Sequence, residues 1–438
     1  MKTVVIGAGL AGLVAAIRLA RGGAEVVVVT KGIGGLPLSQ GTIDVWGYRD
    51  SGRENSSGRM GENSGRIDES ERVTDPFDAV ASASATHPYA AIGVEAVRTG
   101  LAFLRDELND ALGEGAFVGG DANVWLPTAV GAVRPTYLVP EGMAAGACVD
   151  GARFAIVGLR RLKDFSPALI AGNLARTVLP GGGRVQARAL TVDLPARADE
   201  TDSSGLTYAR AFDEPGFALR LAAAIKPLVD EDETVGLPAI LGLRDQHARN
   251  DLIGHLGRPV FEIPLPPPSV PGLRLNDTLT AVAKSAGVRV VLGSPVTGCR
   301  AGNGRIEAVT VATAGHSTDY AADTFLLAAG GFESGALALD SYGQVAETVL
   351  GLPVVVPEGL GDGLVGPDYW APQPLFSAGL DVDTSMHVLR KGKTPVFPNL
   401  YAAGGILAGA QRWREKSGDG IAVGSAVKAA DAMMGDVR

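Results

Sequence analysis

One stretch near the start, Val4-Val5-Ile6-Gly7-Ala8-Gly9-Leu10-Ala11-Gly12, constrains this chain more than any other. Three glycines in the spacing Gly-x-Gly-x-x-Gly follow a short apolar run and open a helical pattern. Thr3–Ile6 reads as a buried parallel strand, Leu13–Arg21 as a helix closed by Gly22-Gly23, and Val26–Val29 as a second buried strand. That is a compact βαβ unit, the context in which such glycines hold a dinucleotide. Gly7 permits the tight turn, Gly9 lets backbone approach a pyrophosphate, and Gly12 lets the helix pack close to the strand. The helix N-terminus presents free N–H groups to the anion, so Gly7, Ala8, Gly9, Leu10, Ala11 and Gly12 are the expected contacts.

The motif departs from its usual form at the end of the second strand. An Asp or Glu is expected there to bond ribose hydroxyls, and the chain has Thr30-Lys31-Gly32 instead. A threonine hydroxyl bonds a ribose only weakly. An NAD site is therefore disfavoured, and a flavin site with altered adenosine contacts, through Thr30 and Lys31, or one holding only part of a dinucleotide, stays open.

Composition narrows the classes. The 438 residues carry a formal net charge of −9, with a pI near 5.2. That balance argues against nucleic acid and against a polybasic membrane patch. No stretch approaches the ~20 apolar residues of a membrane-spanning helix. Met1-Lys2 and the apolar run after it read as the first strand, not as a removed signal. With two cysteines, Cys148 and Cys299, the chain can ligate no iron–sulfur cluster and has no zinc spacing; no metal is expected, and a reducing cytoplasm is the default.

Along the chain, residues 1–48 form the first half of a nucleotide-binding domain. Residues 49–75, rich in Ser, Gly, Asn, Glu and Arg, read as a disordered insertion. Residues 76–263 form a helical and substrate or cap region, with Pro76–Leu112 helical and 195–216 loop-like. The Pro264–Gly272 run reads as a stiff connector into 264–335, which returns to the nucleotide domain. Residues 336–395 form a further cap or substrate segment, and 396–438 a C-terminal cofactor-contacting segment. There, Asn399–Gly405 is a strand running into glycines, and Gly418-Asp419-Gly420 leads the alanine-rich helix Ile421–Met434.

Three glycine-terminated elements in this order resemble the flavoproteins of the fumarate reductase and succinate dehydrogenase type. The matching residues are Gly7–Gly12, Ala328-Ala329-Gly330-Gly331 and Asn399–Gly405. The resemblance implies an α/β, Rossmann-like FAD/NAD(P)-binding flavoprotein fold with an inserted α+β substrate or cap domain. It implies that Ala329 and Gly330 lie near the adenosine side, and that Gly404, Gly405, Gly418, Asp419 and Gly420 meet the ribityl chain and flavin ring. A narrower likeness rests on Ser39–Val45, on Asp164–Ile170 and on the 267–275 run. These look like the B subunit of anaerobic glycerol-3-phosphate dehydrogenase. That family implies a cytoplasmic flavoprotein subunit. It implies two partners, a large flavin subunit (A) and an iron–sulfur membrane subunit (C), and membrane contact only through a partner at the inner face. It also implies oxidation of sn-glycerol 3-phosphate to dihydroxyacetone phosphate with electrons passed to quinone. The family implies FMN; the glycine motif, suited to a pyrophosphate, implies FAD.

Such a reaction needs a base for the C2 hydroxyl proton and cations for a phosphate dianion. Among five histidines, His387, just before the C-terminal segment, is the first candidate base and His255 the second. Arg412 and Arg414, in the cluster Gln411–Lys416, and Arg274, in the proline-rich run, are the candidate phosphate ligands. Ser39, Gly41 and Thr42 are candidates for flavin heteroatoms. Two other functions stay open: a fumarate reductase-type or ketosteroid dehydrogenase-type enzyme, and a non-catalytic subunit holding flavin as a relay or structural element.

Overall fold

The computed structural model describes residues 1–49, 71–245, 247–357, 365 and 373–436. The chain divides into two compact units. The first comprises residues 1–35, 44–107 and 279–438; the second comprises 36–43 and 108–278.

In the first unit, β1 (Lys2–Ile6), α1 (Leu10–Arg21) and β2 (Glu25–Thr30) form the βαβ unit expected from the sequence. The helical stretch after Pro76 is not continuous. It breaks into α2 (Pro76–Ala81), α3 (Pro88–Ile92) and α4 (Val94–Leu112). Pro88 sits in the first turn of α3, where its missing N–H costs nothing, and a proline there ends whatever precedes it.

The second unit contains an antiparallel ribbon, β3 (Val124–Pro127) with β4 (Val133–Thr136). Its main sheet uses β5 (Arg153–Leu159), β6 (Gln186–Val192), β7 (Thr234–Pro238) and β8 (Val260–Ile263), in the parallel order β8-β7-β5-β6. Helices α5 (Pro167–Arg176), α6 (Gly205–Phe212), α7 (Phe217–Ile225) and α8 (Ala248–Leu256) belong to the same unit. Two expectations are corrected here. The 195–216 stretch is not all loop, because Ser204 caps α6 by accepting the N–H of Thr207. The proline-rich run is not connector throughout, because α9 (Val270–Ser285) starts inside it.

The chain returns to the first unit through β9 (Arg289–Leu292), an antiparallel trio β10 (Val296–Gly302), β11 (Arg305–Thr313) and β12 (His316–Ala321), then β13 (Thr324–Leu327) and β14 (Leu400–Ala402). The five-stranded sheet has the parallel order β9-β2-β1-β13-β14. Strand order reverses at β1, and in open α/β sheets ligands bind at the carboxyl ends of strands at such a switch point. The central strands are apolar on both faces, as a covered parallel sheet requires: Val4, Val5, Ile6, Phe325, Leu326 and Leu327 are all buried. Each such side chain contributes ~1.5–3 kcal/mol of burial. Asn399 locks the returning strand. Its amide accepts from Ile306 N at 3.1 Å and donates to Ile306 O at 2.8 Å and Asp323 O at 3.0 Å.

The last helices are α10 (Arg412–Glu415) and α11 (Gly418–Asp436). Every residue from Ile421 to Val427 is buried, so α11 is a central helix of its unit. Small residues admit its neighbours: a side chain at Gly100 of α4 would press on Val423, and one at Gly424 on Val97 and Ile92. The insertion expected at 49–75 falls largely outside the described residues. Its last residues are ordered, contrary to expectation: Arg49 N donates to Glu71 O at 2.7 Å, Val73 N donates to Gly47 O at 2.9 Å, and Asp75 caps α2. Among the described residues no helix is long and apolar enough to cross a membrane.

Candidate functional site

The three glycines of the first turn do three different things. Gly7 has φ +113°, and a Cβ there would overlap the Ala328 carbonyl at the end of β13. A Cβ on Gly12 would overlap the Gly7 carbonyl. Gly9 is the N-cap of α1, with no side-chain cap, and a Cβ on it would meet nothing within 4 Å. Two glycines are thus required by packing, while the third faces open space in front of uncapped first-turn N–H groups. That is the arrangement a pyrophosphate fits.

The far end of the chain comes to the same place. Gly404 (φ +77°) sits so close to α1 that a Cβ there would lie 2.7 Å from Ala11 Cβ, and its N–H donates to the buried Ser425 Oγ at 2.9 Å. Gly330 (φ +83°) and Gly331 end the neighbouring strand, with Ala329 before them. Arg412 ties these turns together. A Cβ on Gly331 would lie 2.9 Å from Arg412 Nη2, one on Gly405 would overlap Nη1, and one on Gly418 would lie 3.6 Å from Arg412 Cβ. The guanidinium faces Glu333, at 3.2 Å (Nη1–Oε1) and 3.5 Å (Nη2–Oε2).

The start of α11 is more occupied than its glycines suggest. The Gly420 N–H donates to Asp44 O at 2.8 Å, and Asp419 accepts the Asp44 N–H at 3.1 Å. Tyr89 Oη donates to Val45 O at 2.6 Å and reaches Ser417 O at 3.2 Å. Behind them lies a buried cluster that sequence reasoning misses. His87 Nδ1 accepts the Tyr89 N–H at 3.2 Å, so Nε2 carries the proton towards Glu415 Oε2 at 3.2 Å. Trp46 stacks on His87 at 4.7 Å. Glu415 also accepts from Ser417 Oγ at 2.7 Å and Gln411 N at 3.0 Å. Burial alone pushes the Glu415 carboxyl up, but the bonds from His87, Ser417 and Gln411 outweigh it and hold it below the usual carboxylate range. Burial pushes the Tyr89 phenol well up. The signal that could have found this cluster is His87-Pro88, a helix start with the ring as cap.

Other candidates lie elsewhere or are engaged. His387 lies opposite Tyr401 in β14, three residues before Gly404, with its ring tied at both nitrogens. Its Nδ1 meets Asp383 Oδ2 at 3.1 Å and its Nε2 meets Asp436 Oδ2 at 3.4 Å. Asp436 ends α11, about 27 Å from Gly418 at 1.5 Å rise per residue. His255 is exposed on the last turn of α8, in the second unit. Arg274 is a structural cation: it pairs with the buried Glu262 at 2.7 Å and donates to Gly242 O. Arg414 is half-buried in α10. The Thr30 hydroxyl donates to Gly32 O at 2.6 Å, which turns it into its own loop, and Lys31 is exposed. Gly34 of that loop lies over the first turn, its would-be Cβ 2.8 Å from Ala8 O. In the second unit, Ser39 Oγ accepts the Gly41 N–H at 3.2 Å, a turn role, and Gly41 (φ +82°) abuts Pro271. Thr42 is buried and lines a small cavity of about 10 Å³ with Gln40, Arg134, Glu262, Leu126 and Met143.

A parallel sheet with its glycine turns gathered at the switch point defines a dinucleotide-binding flavoprotein. The family model for an FAD binding domain matches residues 2–421. The chain belongs to that FAD-binding family and, within it, to the family of the anaerobic glycerol-3-phosphate dehydrogenase B subunit. It is 31% identical over 437 residues to the probable B subunit of anaerobic glycerol-3-phosphate dehydrogenase from Halobacterium salinarum, covering 98% of this chain and 97% of the relative. It is 29% identical to the B subunit of that enzyme from Pectobacterium atrosepticum, covering 98% of each. Among solved structures it aligns with a 3-ketosteroid Δ1-dehydrogenase from Sterolibacterium denitrificans, at TM-score 0.43 and 12% identity over 99% of each chain. Of the two flavins expected from the sequence, FAD is the one the family's domain binds.

Proposed function

We propose that this chain is the flavoprotein subunit of a quinone-linked dehydrogenase that oxidises sn-glycerol 3-phosphate to dihydroxyacetone phosphate. It works beside a large flavin subunit and an iron–sulfur membrane subunit. The observation that carries this reading is the near full-length likeness to the B subunit of that enzyme, joined to three glycine turns meeting at one sheet edge. Bound FAD would supply a hydride or electron acceptor. Gly7, Gly9 and Gly12, with the first N–H groups of α1, would hold its pyrophosphate. Two cysteines leave the iron–sulfur clusters to a partner. Arg414, half-buried on the short helix α10 beside the glycine turns, is the cation assigned to the substrate phosphate.

One observation favours a second reading, a flavin relay whose substrate chemistry occurs on the large subunit. Neither nominated histidine is a free base at the glycine turns: the His387 ring is held between Asp383 and Asp436, at the end of α11 opposite Gly418, and His255 is exposed on α8. Anaerobic addition of glycerol 3-phosphate to the purified flavin-loaded chain separates the two. Bleaching of the flavin band by the substrate alone supports catalysis on this chain. Bleaching only after the large subunit is added supports the relay. A chain that binds no flavin would sink both.

A further inference from the structure

The Arg412–Glu333 pair stands at the carboxyl edge of the five-stranded sheet. Three separate turns converge on Arg412: Gly331 after β13, Gly405 after β14, and Gly418 at the head of α11. The guanidinium lies close against two of these backbones, which is possible only because both positions are glycine. Gly404, the residue before one of them, abuts Ala11 in the first turn of α1. The cation is therefore placed one residue from the point where the turn after β14 touches the first turn of α1.

Its partner is weakly held. Glu333 is 60% exposed and Arg412 24% exposed, at 3.2 and 3.5 Å. An exposed ion pair of this kind is screened by water and readily exchanged. A phosphate offers the same planar fork two acceptor oxygens.

We propose that Arg412 is a cofactor-phosphate ligand held in waiting by Glu333: on FAD binding the guanidinium exchanges the carboxylate for the pyrophosphate. Glu333 is then a competitor of the cofactor, not a supporter of its site. This rests on the placement of FAD at the glycine turns, and it moves Arg412 from the substrate to the cofactor. No bond is made or broken; one ion pair replaces another.

The sign of two substitutions tests it. Apoprotein is titrated with FAD and the dissociation constant read from quenching of flavin fluorescence. Arg412→Ala is expected to raise the constant about tenfold or more, the scale of a lost charge-assisted hydrogen bond. Glu333→Gln is expected to lower it about two- to fivefold, because an exposed carboxylate no longer competes. A structural ion pair would move both variants in the same direction. Any outcome other than weakening in the first and tightening in the second overturns the proposal. Glu333 is exposed, so its variant is expected to fold even where the arginine variant does not, and unaltered FAD affinity there is enough to refute the competition. Gly9→Val serves as control: retention of FAD in that variant overturns the site itself, whereas loss of FAD there with equal signs in the other two overturns only the role of Arg412.

Discussion

Two helices of the first unit begin with glycines at the same sheet edge, and the two beginnings differ. At α1 the N-cap is Gly9, which supplies no side-chain cap, and a Cβ built on Gly9 would meet nothing within 4 Å among the described residues. At α11 the Gly420 N–H is bonded to Asp44, Asp419 is bonded to Asp44 N, and Ser417 and Glu415 fasten the preceding turn to His87. A glycine-led helix supplies donors; whether they serve a ligand depends on what the rest of the chain brings to them. The first helix begins without a side-chain cap on its donors. The second commits the Gly420 N–H, and the Asp419 side chain, to Asp44.

The largest expected effects separate binding from folding within the first turn. Gly9→Val is expected to abolish FAD binding with a melting temperature within about 2 °C of FAD-free wild type, because its Cβ meets nothing within 4 Å. Gly12→Val is expected to destabilise by ~3 kcal/mol or more, because its Cβ overlaps the Gly7 carbonyl and no flexible side chain can yield. Flavin absorbance after gel filtration and thermal melts of both variants check this. Equal melting temperatures would erase the distinction between the open glycine and the packed one.

The first helix is legible in the sequence because everything that builds it is local: a strand, a turn and a helix within thirty residues. The second is not, because its Gly420 N–H is bonded to Asp44, and its preceding turn to His87, from hundreds of residues away. The surroundings of His387 are hidden for a related reason. It precedes β14 in sequence and pairs with Tyr401 inside the strand, while its ring is tied to Asp383 and to Asp436 at the end of α11. Arg274 reads as part of a stiff connector, but it sits in α9 with a buried carboxylate beside it. Thr30 reads as a ribose contact, but a short hydroxyl finds its own backbone first.

The smallest expected effect tests the committed end. Glu415 is held as a carboxylate by His87, Ser417 and Gln411, so its folded-state pKa lies below the unfolded value of about 4.3. The sign follows from linkage: the native state binds the proton less readily, so the stabilisation is complete above the unfolded value and fades as pH falls through the folded one. Glu415→Gln keeps the shape but removes the charge, at an expected cost of ~1–3 kcal/mol near neutrality, the range for hydrogen bonds to a buried charged group. The gap in melting temperature between wild type and variant is expected to be open above the unfolded carboxylate value of about 4.3 and to narrow as pH falls through the lower folded value. A gap that stayed open in acid would mean that the turn before α11 is held by packing around Trp46 and Tyr89 and not by the carboxylate. FAD affinity is expected to change less than about threefold in this variant, since the open donors lie on α1; a loss as large as that of Gly9→Val would show that the cofactor depends on both helix ends alike.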